Sequence, residues 1–151
     1  FYSWEEMKEV RDMAIVAFAG PLSNLIVALV SSFISNLLVF VFYVSNTTSN
    51  AVVTLLVILI NIFSYIAIIN VSLALFNLVP IPPLDGSKVL GAFLPNRIYY
   101  QLMQYERYFM IFIMFLIFAG SGFSNALSKM IYLVYNGIDT VAALPFNLIL
   151  G

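Results

Sequence analysis

The sequence predicts an all-α, polytopic transmembrane helix bundle, broken once by a proline-rich, non-helical segment. Three observations predict it. Hydrophobic residues make up 63% of the 151 residues and charged residues 9%, against roughly 25% charge in a soluble domain. No Asp, Glu, Lys or Arg occurs from Met13 through Leu84, which leaves room for two membrane crossings. Pro80, Pro82 and Pro83 then follow closely on one another, a pattern that a regular helix does not tolerate. Residues 1–151 read as a single integral membrane domain.

The elements follow in order. Residues 4 to 12 hold six of the thirteen charged residues and read as an interfacial helix, with Trp4 at headgroup level. A polar lead-in explains them equally well. Gly20-Pro21 interrupts the apolar run. Proline suits the first turn of a helix, where its missing N–H costs nothing. A helix is therefore expected to start or kink at Pro21 and run to about Val44. Its length of roughly 36 Å, at 1.5 Å per residue, crosses a hydrocarbon core of about 30 Å.

Residues 45 to 50, all Ser, Asn or Thr, form a polar turn. A second span is expected from Ala51 to Phe76, 26 residues without a charge. Its Asn61, Ser64, Asn70 and Ser72 are expected to face partner helices. Residues 77 to 85 cannot form a regular helix. Irregular backbone at membrane depth is tolerated only within protein or beside water. Ser87 to Leu94 suits a short helix ended by Pro95. The stretch from Arg97 to Arg107, with Tyr99, Tyr100 and Tyr105, reads as a surface-lying helix. A third span is expected over 108–123, loosening at Gly120-Ser121-Gly122. Residues 130–150, interrupted by Asn136, Gly137, Asp139 and Pro145, are a weaker candidate for a fourth.

Lys8, Arg11, Lys88, Arg97 and Arg107 fall on one side if the first span leaves the cytoplasm and the second returns. Only Lys129 falls opposite. The positive-inside rule then places Asp85 near the cytoplasmic face. Cysteines introduced at positions 47 and 97 are expected to react with impermeant reagents from opposite sides. Labelling of both from one side rules this topology out.

Composition also excludes chemistry. A net charge of −1 offers no basic stripe for nucleic acid. With no Cys, disulfides, thiolate metal sites and cysteine nucleophiles are excluded. With no His, imidazole ligands and the usual general base are excluded too. Asp85, at the end of a membrane-length apolar run, is the one conspicuous acid, and such groups are usually functional. Two readings stay open from the residues alone: a metal-ligating carboxylate, or an N-cap on the helix that follows.

The run from Asn77 to Gly86, N-x-x-P-x-P-x-L-D-G, resembles the second signature of the site-2 protease family of intramembrane zinc metalloproteases. Residues 11 to 24, with Gly20-Pro21-Leu22-Ser23-Asn24, resemble that family's G-P-x-x-N helix start. Gly86 to Leu90, Leu94-Pro95 and Tyr105-Glu106-Arg107-Tyr108 resemble its stretch after the Asp. Together these cover residues 11 to 118. The ten-residue signature is specific; G-P-x-x-N alone is not.

The resemblance implies a zinc endopeptidase that acts within the membrane. An H-E-x-x-H helix there gives two His ligands and a Glu base, and Asp85 gives the third ligand. Zinc lowers the pKa of its bound water, and the Glu takes the proton as water attacks the peptide. Asn77, Pro80, Pro82, Gly86 and Asn24 are candidates for binding substrate or shaping the site. Helix capping and loop hydrogen bonding explain Asn24 and Asn77 as well. The proline stretch could pair with an unwound substrate as an added strand, or simply turn the chain and aim Asp85. The implied partners are a membrane-protein substrate helix and the lipid bilayer, and the implied location is a bacterial plasma membrane.

This chain departs from the pattern in having no H-E-x-x-H. The expectation is that these residues are the C-terminal part of a larger protease domain, with one or two helices supplied by an N-terminal segment or another chain. One alternative is a catalytically inactive relative that binds membrane helices without cutting them. Another is a small transporter or channel subunit, although no repeated pair of broken helices supports it.

Overall fold

With no charge and no strong helix breaker between Pro21 and the polar turn, local helix formation is opposed nowhere along the first apolar run. In this computed structural model, which describes residues 4–79 and 84–150, α1 accordingly runs unbroken from Trp4 to Ser45. The expected start at Pro21 is corrected. The charged lead-in and the apolar span are one helix, and Pro21 lies inside it, fully buried. Membrane helices tolerate interior proline because neighbouring groups re-satisfy the backbone it frees.

Asn46, in the left-handed region at φ 44°, ends α1 in the conformation that commonly stops helices. The chain re-enters α2 (Asn50–Leu78), with Val53 N–H donating to the Ser49 carbonyl at 3.0 Å. Then follow α3 (Asp85–Gly91), α4 (Asn96–Gln104), α5 (Glu106–Ala119) and α6 (Ser121–Leu150). No strand occurs among the described residues. The proline segment itself, including Pro80 and Pro82, lies outside them.

Among the described residues, three helical stretches are long and apolar enough to cross a membrane: Arg11–Ser45, Asn50–Leu78 and Ser121–Leu150. Their large apolar side chains are mostly exposed, Val16 at 73% and Leu133 at 74% among them. Such faces suit lipid and not water. The expected span over 108–123 is revised. Gly120 adopts an extended conformation and ends α5 after 14 residues, a rise of about 21 Å, short of the roughly 30 Å core. The weaker candidate at 130–150 is instead part of the continuous helix α6. Its Asn136, Gly137 and Asp139 are accommodated, as is Pro145.

The chain forms two compact units: Phe1–Ser23 with Leu73–Lys129, and Asn24–Ser72 with Met130–Gly151. In the second unit, polar groups join the helices. Ser35 Oγ lies 2.9 Å from Ser64 Oγ and 3.3 Å from the Ile60 carbonyl, linking α1 to α2. Asp139 of α6 accepts hydrogen bonds from Ser32 Oγ and from Asn36 Nδ2 of α1, the latter at 2.8 Å. The Phe146 ring packs on Phe33 and Phe40, with centroids 5.2 and 5.6 Å away. Of the four polar residues expected to reach partner helices from α2, Ser64 does so. Asn70 and Ser72 instead bond the carbonyls of Ile66 and Ile68, one turn back on their own helix, and Asn61 is exposed.

Candidate active site around Asp85

The first unit brings Gly20 of one sequence signature to Asp85 of the other. Leu84 is extended (φ −72°, ψ 154°), and Asp85 is the first residue of α3. Asp85 therefore sits one position inside the helix, where its charge favours the helix N-terminus. No side chain caps that end, so the N-cap reading loses its geometric basis. The turn is closed by Ser87 instead. Its buried hydroxyl donates to the Leu84 carbonyl at 2.7 Å, and its backbone N–H donates to the same carbonyl at 3.0 Å.

The Asp85 carboxylate is directed at α1. A Cβ built on Gly20 would lie 3.1 Å from Asp85 Oδ2. Gly20 of the Gly-Pro stretch is thus the bare patch of helix against which the carboxylate rests. Oδ1 faces Lys88 Nζ at 3.8 Å. This is a partly exposed pair of the kind worth about 0–1 kcal/mol.

Gly86 is required by close approach. A Cβ there would lie 2.3 Å from the Leu78 carbonyl oxygen and 2.5 Å from that of Val79. The backbone leaving α2 and the backbone entering α3 therefore touch. Gly91 plays a similar part against Tyr99, whose ring edge would be 2.6 Å from an added Cβ. Partial burial, and then the neighbouring Tyr100, raise the Tyr99 phenol above its usual pKa. It stays neutral at physiological pH.

An open, largely apolar groove of about 810 Å³ flanks this site. Ala19, Phe18 and Leu22 line it from α1, and Val89, Phe93 and Pro95 from the α3 side, with Arg11 among its lining residues.

Of the sequence-predicted residues, Asp85 and Gly86 are at the centre of this arrangement. Asn77 is half-buried in the last turn of α2. Asn24 is half-buried on α1 and belongs to the second unit. Pro80 and Pro82 lie outside the described residues. Sequence reasoning passed over Gly20 as a contact, Ser87 and Lys88. The D-G-S-K order was the available signal, since Lys88 at i+3 shares a helix face with Asp85.

The donor set does not by itself fit zinc. Catalytic zinc takes about three protein ligands. Among the described residues, no group of three or more His, Cys, Asp or Glu is placed to hold a metal. Asp85 offers one ligand.

Comparison with known proteins places the chain in a family. The sequence pattern of peptidase family M50 matches residues 4–121. The chain is also 36% identical, over 100 residues, to YwhC of Bacillus subtilis (strain 168), named as an inferred zinc metalloprotease. That alignment covers 66% of this chain and 43% of the relative. The chain thus spans less than half the length of the curated relative it matches. No solved structure matches it significantly.

Proposed function

This chain belongs to peptidase family M50, and from that premise we propose that it is part of an intramembrane zinc endopeptidase of the site-2 type. Asp85 is its contribution to the metal. The observation that carries this reading is the Asp85 carboxylate lying against Gly20, which joins the L-D-G and G-P-x-x-N stretches at one point. Bound zinc would supply the activation of water. The residues of this chain aim and support the carboxylate. Ser87 closes the turn, Gly86 lets α3 begin against the end of α2, and Lys88 faces Oδ1.

These 151 residues hold no His, so this reading requires the His ligands and the Glu base from an H-E-x-x-H-bearing segment or partner. The groove beside Gly20 is mainly apolar, which suits a membrane-helix substrate. The Lys and Arg distribution supports a site near the cytoplasmic face.

The test is zinc stoichiometry. The 151-residue chain alone is expected to retain well below one zinc after mild chelation, because it has one ligand of about three. Joined with an H-E-x-x-H-bearing segment, it is expected to retain about one zinc, and Asp85→Ala is expected to release it. Tight one-to-one zinc in the isolated chain, or retention in Asp85→Ala, overturns the assignment.

A further inference from the structure

The second unit holds a carboxyl group that the protease reading does not use. Asp139 lies in a membrane-length helix, and neither α1 from Met13 onward nor α2 carries a charged residue to pair with it. Ionisable groups at such depth are costly and usually have a specific partner. Here the partners are neutral. Ser32, fully buried, and Asn36, half-buried, sit at i and i+4 on one face of α1. Both donate to the same oxygen, Asp139 Oδ1. Asn36 also donates to the Ser32 carbonyl at 3.0 Å, which fixes its amide.

We propose that Ser32, Asn36 and Asp139 form a register lock that sets the rotation and height of α6 on α1. The apolar part of this contact does not specify position. Lipid is as apolar as the side chains, so the hydrophobic effect does not discriminate between registers. Phe146 already contacts two rings, Phe33 and Phe40. Further along α1, Val41 and Val44 offer similar apolar surface.

The donor pair does specify position. A slip of one turn along α1 replaces the Ser32–Asn36 pair by Ala28–Ser32 or Asn36–Phe40, so the carboxyl group loses one of its two donors in a setting that offers no water in exchange. A single polar group is known to fix helix register in this way, at some cost in stability. Gly137, beside Asp139 on α6, meets nothing within 4 Å of an added Cβ. Steric fit at that point therefore supplies no competing constraint.

The chain has no cysteine, so introduced pairs report register without background. In membranes, Phe40→Cys with Phe146→Cys is expected to cross-link at least about threefold faster than Val44→Cys with Phe146→Cys, the scale of one interhelical hydrogen bond. Asp139→Leu is expected to bring that ratio close to one. Asp139→Asn is expected to keep it, since the amide oxygen can accept both bonds.

Ser32→Ala combined with Asn36→Leu removes the lock from the other side and is expected to act like Asp139→Leu. Every Leu replacement here is more apolar than the residue it replaces, so membrane insertion is favoured. An unchanged ratio in Asp139→Leu or in the α1 double variant overturns the proposal. So does a collapsed ratio in Asp139→Asn.

Discussion

In this chain joined to an H-E-x-x-H-bearing segment, Asp85→Ala is expected to abolish peptide cleavage while leaving the protein inserted and folded. The two effects separate because Asp85 does little for stability. It is the first residue of α3 and caps nothing. Its interaction with the helix dipole is worth about 0.3–1 kcal/mol. Its ion pair with Lys88, at 3.8 Å and partly exposed, adds about 0–1 kcal/mol. Removing the carboxylate also removes a charge, which does not hinder membrane insertion.

The activity lost is far larger. Deleting one transition-state donor costs on the order of 10²–10³ in rate, and deleting a metal ligand should cost at least that. Asp85→Ser sharpens the test, since Ser serves well at a helix start but is a poor zinc ligand. Cleavage, zinc content and expression level are compared for the two variants. Near-normal cleavage by Asp85→Ser shows that the carboxylate is not a ligand.

The membrane class was legible because it depends on sums. A long uncharged run has few alternatives to a spanning helix, and α1 and α2 follow from it. Boundaries depended on single residues and were less legible. Pro21 suggested a start because the sequence does not show which neighbours will re-satisfy the freed backbone. The 108–123 span shortened because Gly120 takes an extended conformation that Gly122, two residues on, does not.

The candidate site was legible as far as its motif reached. Asp85 and Gly86 stood out by spacing, but the partner of the carboxylate was not visible. Gly20 has no side chain, and its role is the absence of one. Asp139 was read only as an interruption of a weak span. Its meaning is tertiary, since its donors lie more than a hundred residues away in sequence at Ser32 and Asn36. No local pattern links them.

Gly86→Ala is expected to destabilise the first unit by about 3 kcal/mol or more, beyond the usual 1–3 kcal/mol for overpacking. The added methyl would meet the carbonyl oxygens of Leu78 and Val79 at 2.3 and 2.5 Å. These are backbone atoms held by a helix end, so no rotamer change can relieve the contact. Either α3 moves away from α2 or the last turn of α2 unwinds. Both displace Asp85, because Gly86 is its chain neighbour and its Oδ2 must stay within reach of Gly20. Cleavage should therefore fall together with stability, unlike Asp85→Ala, in which they separate.

Gly137→Ala is the matched control. Nothing lies within 4 Å of its added Cβ, and replacing a mid-helix glycine by alanine is worth about 0.5–1 kcal/mol in favour of the helix. Thermal unfolding in detergent, read beside cleavage in membranes, compares the two. If Gly86→Ala unfolds at the temperature of the parent protein, the close approach of α2 and α3 is wrong. The backbone contact that aims Asp85 would then have to be sought elsewhere in the chain.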